Sequence, residues 1–186
     1  MALVINKPIK MVLFDVDGVM TDGTIYMSEY GEFIKAFNVK DGLAIELLRA
    51  HGIKSGVISG KASSALTTRC QQLGFDVIET GCKHKLPKLE EICNRFDITA
   101  DEIAFCGDDV LDLPIMAHCG LSAAPADAHQ LVLAEADWVS ECNGGFGMVR
   151  NFVDHLLLNQ SGLMLNEIYQ PLLNKIARDD LKGVEQ

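Results

Sequence analysis

The segment that most constrains this chain is Met11-Val12-Leu13-Phe14, followed at once by Asp15-Val16-Asp17-Gly18-Val19-Met20-Thr21-Asp22-Gly23. Four apolar residues that stop at an acidic, glycine-containing segment have the pattern of a buried parallel strand handing its chain to a loop at a sheet edge. Similar short runs recur at Gly56-Val57-Ile58, Phe75-Asp76-Val77-Ile78, Ile103-Ala104-Phe105 and Trp138-Val139, separated by stretches of helical periodicity. Strands alternating with helices predict an α/β fold built on a doubly wound parallel sheet. In such a sheet ligands bind beyond the carboxyl ends of the strands, which is where Asp15 falls.

The intervening helices carry their own punctuation. Asp41 stands as an N-cap before Leu43-Ala44-Ile45-Glu46-Leu47-Leu48, with Gly52 as the stop, and a second helix is expected from Ser63 to Leu73, ending at Gly74. Thr99 and Glu102 have capping-box spacing, but the strand-like run that follows favours a single turn. One segment breaks the alternation: Thr24-Ile25-Tyr26-Met27-Ser28 and Phe33-Ile34-Lys35-Ala36-Phe37 flank Glu29-Tyr30-Gly31-Glu32 and predict a β-hairpin over 24–37. With large apolar side chains on both faces, a lone hairpin is marginal in water, so it is expected to pack against a neighbouring subunit. At the other end, Leu163, Leu165, Ile168, Leu172 and Ile176 give the 161–186 tail an apolar helical stripe with an open destination.

A length of 186 residues suits one compact domain, expected over 1–186, and is short for two. Acidic residues outnumber basic ones 26 to 16, and the cations are scattered, which argues against a nucleic-acid partner. An anionic substrate then needs a few cations and a metal to reverse the field locally. The six cysteines form no C-x-x-C pair and are expected to be reduced thiols, mostly in the core. Met1 to Lys10 resembles neither a signal peptide nor a membrane span, so no membrane partner and a cytoplasmic location are expected.

The chemistry is concentrated at the strand ends. At about 4 Å and an effective dielectric of about 20, Asp15 and Asp17 would repel by roughly 4 kcal/mol, so turning both into one crevice calls for a cation. Oxygen ligands of this kind suit magnesium. A carboxylate beside a second acid also suits phosphoryl transfer, with Asp15 attacking phosphorus and Asp17 moving the proton. A solvated acidic turn explains Asp15 to Gly18 about as well when that segment is read alone. Further along, Ser59-Gly60 ends a strand with a hydroxyl and a glycine, where an O–H and a backbone N–H can meet phosphate oxygens. Lys85 follows Gly81-Cys82-Lys83-His84; a buried ammonium there would offset charge, although most lysines only solvate a surface, and His84 is a loop residue. Gly107-Asp108-Asp109-Val110-Leu111-Asp112 brings a second carboxylate cluster to the same edge, with Asp112 placed to orient Lys85 or the metal ligands.

These four segments, taken in order, resemble the motifs of the haloacid dehalogenase-like phosphohydrolases: D-x-D at Asp15/Asp17, a hydroxyl at Ser59, a lysine at Lys85 and an acidic pair at Asp108/Asp109. The resemblance implies Asp15, Asp17, Ser59 and Lys85 as catalytic residues. It implies magnesium held by the carboxylates of Asp15 and Asp108 and the main-chain carbonyl of Asp17. Asp17-Gly18-Val19-Met20-Thr21-Asp22-Gly23, the hairpin, Phe37-Asn38-Val39-Lys40-Asp41-Gly42, Gly107 to Pro114 and Ala126-Asp127-Ala128-His129 look more narrowly like the capless subfamily that acts on 3-deoxy-D-manno-octulosonate 8-phosphate. That likeness covers Met11 to Leu158. It implies a small phosphorylated sugar acid as substrate, contacted by Asp17, Asn38, Lys40, Asp41, Gly42, Lys61, Arg69 and Lys85. It also implies a homotetramer in which a neighbour's hairpin and tail help enclose each site, and a place in lipopolysaccharide sugar synthesis. The chain departs from the subfamily in Ser59-Gly60-Lys61, where Thr-Gly-Arg is usual, and in Glu46, where an arginine is common; Arg69 matches the second sugar-contacting arginine. Rival readings are the same chemistry on a nonulosonate 9-phosphate, a receiver-like phospho-acceptor module and a silent assembly subunit. A receiver has no need of an acid two residues after its nucleophile, and its acceptor lies at the third strand, not the first.

Overall fold

The computed structural model describes residues 5–178, without the side chain of Phe33. The chain begins with β1 (Met11–Phe14), then a hairpin of β2 (Tyr26–Ser28) and β3 (Gly31–Ile34). It continues through α1 (Val39–Ala50), β4 (Lys54–Ile58), α2 (Ser64–Leu73), β5 (Val77–Glu79) and α3 (Leu86–Phe96). After a 3₁₀ turn at Ala100–Glu102 come β6 (Ile103–Cys106), α4 (Leu113–Met116), β7 (Leu121–Ala124), α5 (Gln130–Glu135) and β8 (Trp138–Val139). Two helices close it, α6 (Met148–Ser161) and α7 (Leu165–Ala177).

Six strands form one sheet in the order β5-β4-β1-β6-β7-β8, and every neighbouring pair is parallel. All four residues of β1 are buried, as a central strand covered on both faces must be. The two-residue pleat divides them between two cores. Val12 and Phe14 join the side chains of α1, α2, α6 and α7, among them Ile45, Leu48, Leu66, Phe152 and Ile168. Met11 and Leu13 join Ile103, Phe105, Leu89, Ile92, Ile115 and Val132 on the face covered by α3, α4 and α5. Each large aliphatic side chain removed from water contributes about 1.5–3 kcal/mol.

The α/β parallel sheet expected from the sequence is present, with several local differences. β7 has no counterpart among the expected strands, because Leu121-Ser122-Ala123-Ala124 carries no β-branched or aromatic residue; its neighbours β6 and β8 bury it. The run expected from Phe75 starts as a strand only at Val77, since Asp76 turns its carboxylate back to accept from the Ser55 amide at 3.0 Å. Asp41 is not the N-cap of α1. Asn38 is, its side chain accepting from the Lys40 amide at 2.9 Å, while Asp41 sits in the first turn and accepts from the Arg150 amide at 2.8 Å. Ser63 caps α2 and left-handed Gly74 ends it, as expected. Thr99 and Glu102 form a capping box on the single 3₁₀ turn.

The hairpin is shorter than the span 24–37. Its loop is Glu29-Tyr30, Gly31 takes φ +101° as the first residue of β3, and Lys35 to Phe37 lie outside the strands. Ile25, Tyr26, Met27, Tyr30 and Ile34 are exposed, and the apolar side chain expected to pack at Phe33 lies outside the description. The tail stripe is divided: Ile168 and Leu172 are buried in the core, whereas Leu163, Leu165 and Ile176 face outward. Residues 179–186 of that tail also lie outside the description. All six cysteines are free thiols, but only Cys70 and Cys106 are buried, because the other four sit in loops or at helix edges. No helix among the described residues is long and apolar enough to cross a membrane.

Candidate active site

The parallel sheet delivers each functional segment to one edge. Asp15 is the first residue past β1, and its amide continues the ladder by donating to Cys106 O at 2.8 Å. Ser59 is the first past β4, held by its amide on Glu79 O at 2.9 Å and itself 1% exposed. Lys85 lies at the N-terminal end of α3, and Asp108 and Asp109 follow β6. Asp15, Asp17, Ser59, Lys61, Lys85, Asp108 and Asp109 line one cleft of about 580 Å³, with Gly60, Cys82, Lys83, His84 and Leu111 completing its walls. Six of the expected site residues, Asp15, Asp17, Ser59, Lys61, Lys85 and Asp108, are therefore brought together.

Lys85 is the cation at the centre. Its ammonium lies 2.8 Å from Asp15 Oδ1 and 2.6 Å from Asp112 Oδ1, above the ring of Phe105 at 5.6 Å from its centroid. Burial disfavours the charged lysine, but the two carboxylates outweigh it and raise its pKa. Asp112 uses its other oxygen to accept from the amides of Asp108 and Asp109, at 3.1 and 3.4 Å. One buried carboxylate thus orients both the lysine and the turn that carries Asp108.

The carboxylates outnumber the charge available to balance them. One oxygen from each of Asp15, Asp108 and Asp112 lies within 4.8 Å of the others. Burial, followed by the charges of Asp15, Asp112 and Asp109, pushes Asp108 up to about 8. Burial pushes Asp15 up to about 6 against the opposing pull of Lys85. Asp108 Oδ1 is buried with no hydrogen-bond partner. Gly18 makes room for this group: at φ +89°, a Cβ there would stand 2.0 Å from Asp108 Oδ2. An orphaned carboxylate oxygen in an all-oxygen set fits a hard divalent cation such as magnesium. Asp112 is less available as a ligand, because both its oxygens already accept hydrogen bonds.

The other expected substrate contacts form a separate group outside the cleft lining: Asn38, Lys40, Asp41 and Gly42 at the start of α1, and Arg69 on α2, which reaches Gly42. Asn38 Nδ2 donates to Gly145 O at 3.3 Å, and Gly145 in turn donates its amide to Val19 O at 3.0 Å. This path ties the α1 entry to the loop after β1. Asp41 is 2% exposed and its Oδ2 has no hydrogen-bond partner. A Cβ on Gly42 would lie 2.7 Å from Arg69 Nη2, so the absence of a side chain there admits the guanidinium, whose buried Nε has no partner. Glu46 is buried and pairs with Arg49, which also donates to Leu73 O and Gly74 O at 2.9 and 2.7 Å.

Lys35 is a site residue that sequence reasoning missed. It pairs with Asp17 and with Glu32, and the one available signal was the i,i+3 spacing of Glu32 and Lys35, which is common on surfaces.

Comparison with known proteins agrees with this geometry. Residues 59–150 match the model of the haloacid dehalogenase-like hydrolases. The chain is 40% identical over 155 residues to the 3-deoxy-D-manno-octulosonate 8-phosphate phosphatase KdsC of Escherichia coli K12, covering 83% of this chain and 82% of that protein. Among solved structures, it resembles the cobalt-bound deoxy-D-mannose-octulosonate 8-phosphate phosphatase of Haemophilus influenzae, with TM-score 0.83, 38% identity and coverage of 89% and 96% of the two chains. It also resembles the 3-deoxy-D-manno-octulosonate 8-phosphate phosphatase of Moraxella catarrhalis in complex with magnesium, phosphate and KDO. There the TM-score is 0.79 at 31% identity, over 83% of this chain and 88% of that one.

Proposed function

The chain belongs to the 3-deoxy-D-manno-octulosonate 8-phosphate phosphatase family of haloacid dehalogenase-like hydrolases, and from that membership we propose the assignment of its residues to the reaction. It is a magnesium-dependent phosphatase that hydrolyses 3-deoxy-D-manno-octulosonate 8-phosphate to the free sugar acid and phosphate. This places it in the synthesis of the acidic sugar of lipopolysaccharide. The observation that carries the residue assignment is the position of Asp15, at the end of β1 within 2.8 Å of the Lys85 ammonium and sharing one cleft with Asp17 and Asp108.

In the first step a carboxylate oxygen of Asp15 bonds to phosphorus as the bond from phosphorus to the sugar oxygen breaks. Asp17 donates its proton to the departing alkoxide. In the second step Asp17 takes a proton from water, the water oxygen attacks phosphorus, and the bond to Asp15 breaks to release phosphate. Ser59 and the Lys61 amide that donates to its Oγ border the phosphate position. Lys85 keeps Asp15 ionised and offsets charge on the phosphoryl oxygens. The carboxylates of Asp15 and Asp108 and the main-chain carbonyl of Asp17 would hold magnesium, which would supply the remaining positive charge.

The same reading extends to a cytoplasmic homotetramer. The support for assembly is the run of exposed apolar residues on the hairpin, where Met27 and Tyr30 are 69% and 90% exposed.

The test is phosphate release from a panel of sugar phosphates with and without magnesium, including the eight-carbon and nine-carbon keto-deoxy acids. Activity that needs magnesium, favours the eight-carbon substrate and disappears in Asp15→Asn supports the reading. Equal or reversed preference overturns the substrate, and turnover by Asp15→Asn near the wild-type rate overturns the mechanism.

A further inference from the structure

The Asp17 carboxylate is held by a side chain from outside its own loop. Lys35, one residue past β3, returns its ammonium to Asp17 Oδ1, and the same ammonium lies 2.7 Å from Glu32 Oε1. The Lys35 side chain is only 1% exposed. Burial pulls against its charge, but hydrogen bonds and attraction from the two carboxylates more than compensate and raise its pKa. An ammonium withdrawn this far from water costs several kcal/mol unless anions meet it, so the arrangement binds the base of the hairpin to the loop after β1. Among the described residues, no other cation is paired with Asp17.

We propose that Lys35 is a positioning residue for proton transfer: it fixes where the Asp17 carboxyl points and thereby makes delivery of the proton depend on where the hairpin sits. The proposal rests on Asp17 acting as the general acid, as above. A general acid must stand within hydrogen-bond reach of the leaving oxygen, and a carboxyl on a short side chain can rotate out of reach unless something holds it. The hairpin carries that hold. A two-stranded ribbon has little stability of its own, so its setting is open to whatever packs on its exposed face. A contact that only kept the hairpin folded would slow every substrate alike. A positioning contact is selective for leaving groups that need a proton.

That selectivity is the test. kcat/KM includes steps through departure of the leaving group, so it is compared for the sugar-acid phosphate, whose alkoxide must be protonated, and p-nitrophenyl phosphate, whose phenolate leaves unaided. The ratio of the two should fall strongly in Asp17→Asn. It should fall at least about tenfold in Lys35→Met and return to within about threefold of wild type in Lys35→Arg, which keeps a cation at the position. Because Lys35→Met strands two carboxylates, Lys35→Met/Glu32→Gln is measured beside it, and the same fall is expected. An unchanged ratio in Asp17→Asn would show that Asp17 is not the acid and would remove the reading above. A ratio that falls in Asp17→Asn yet stays at the wild-type value in both Lys35→Met proteins overturns the role of Lys35 alone.

Discussion

Lys85 Nζ lies 2.6 Å from Asp112 Oδ1, joining the start of α3 to a carboxylate at the start of α4 across 27 positions of sequence. Asp112 is 1% exposed and also accepts from the Asp108 and Asp109 amides, so no water stands ready to replace it. Asp112→Asn keeps the shape but removes the charge, leaving Lys85 to Asp15 alone and placing an amide where both partners are donors. The loss of such a supporting partner costs about 10- to 100-fold in metal affinity or activity, and that is the expected fall in both the magnesium affinity and kcat/KM. Magnesium titration of activity checks it; a variant with wild-type values for both would show that Asp112 only fills space.

Protons should leave when the metal enters. The folded, metal-free protein holds Asp108 near 8 and Asp15 near 6, both above the ordinary carboxylate value of 3.8. Between about pH 4 and 8 the folded state therefore binds protons that the unfolded chain has released, and its stability falls as pH rises through that window. The melting temperature of the chelated protein should drop from pH 5 to pH 8, and magnesium should recover more of it at pH 8. Calorimetric titration at pH 7 in two buffers of different ionisation heat should give different apparent heats. Identical heats would mean that these carboxylates are already charged.

How much of this was legible beforehand differs from residue to residue. β1 was clear because four apolar residues ending at an acid leave few alternatives, and Asp15 then had to stand at the sheet edge. The spacing of Asp112 after the Asp108 pair left it to orient either Lys85 or the metal ligands, and its carboxylate meets both Lys85 and the Asp108 amide. β7 was hidden because Ser122-Ala123-Ala124 has no strand character of its own and is set by its neighbours. Asp41 looked like a cap because an Asp before an apolar helical run usually is one; its competitor, Asn38, lay three residues earlier, and the partner that claimed Asp41 is Arg150, 109 residues away. Lys35 had only its i,i+3 spacing from Glu32 as a local signal, and its partner Asp17 lies 18 residues back in a loop whose path the sequence does not state.

Gly18 should tolerate nothing larger. Its φ of +89° is a region that side chains rarely adopt, and a Cβ would stand 2.0 Å from Asp108 Oδ2. Holding Ala there costs on the order of 1–3 kcal/mol in backbone strain before any displacement of Asp108. Gly18→Ala should thus lower the melting temperature and raise the magnesium concentration for half-maximal activity. If that concentration is unchanged, Asp108 does not need its present position to serve the metal.

The hairpin should govern assembly. Ile25→Glu and Met27→Glu each place a charge in the exposed apolar run without touching the Lys35 contact. Light scattering should then report smaller species, with activity falling in step. Wild-type protein that is fully active as a monomer at micromolar concentration would refute the tetramer.

Recognition of the sugar acid should depend more on Arg69 than on Lys61. The Lys61 side chain is an exposed point charge at the cleft, whereas Arg69 lies against Gly42 with a buried Nε that no protein group satisfies. A guanidinium can clamp a carboxylate through two parallel hydrogen bonds, and an ammonium cannot. Hydrogen bonds to charged groups contribute about 1.5–3 kcal/mol, so Arg69→Ala should raise KM for the eight-carbon substrate by about 10- to 100-fold. The Lys61→Ala effect should be smaller. Glu46 does not spoil this arrangement, because Arg49 neutralises it in place and is itself anchored on the Leu73 and Gly74 carbonyls. p-Nitrophenyl phosphate provides the internal control, since it has no carboxylate to lose. Arg69→Ala should leave its kcat/KM close to wild type while that for the sugar-acid phosphate collapses. An equal loss on both substrates would show that Arg69 supports the fold of the α1 entry and does not read the sugar.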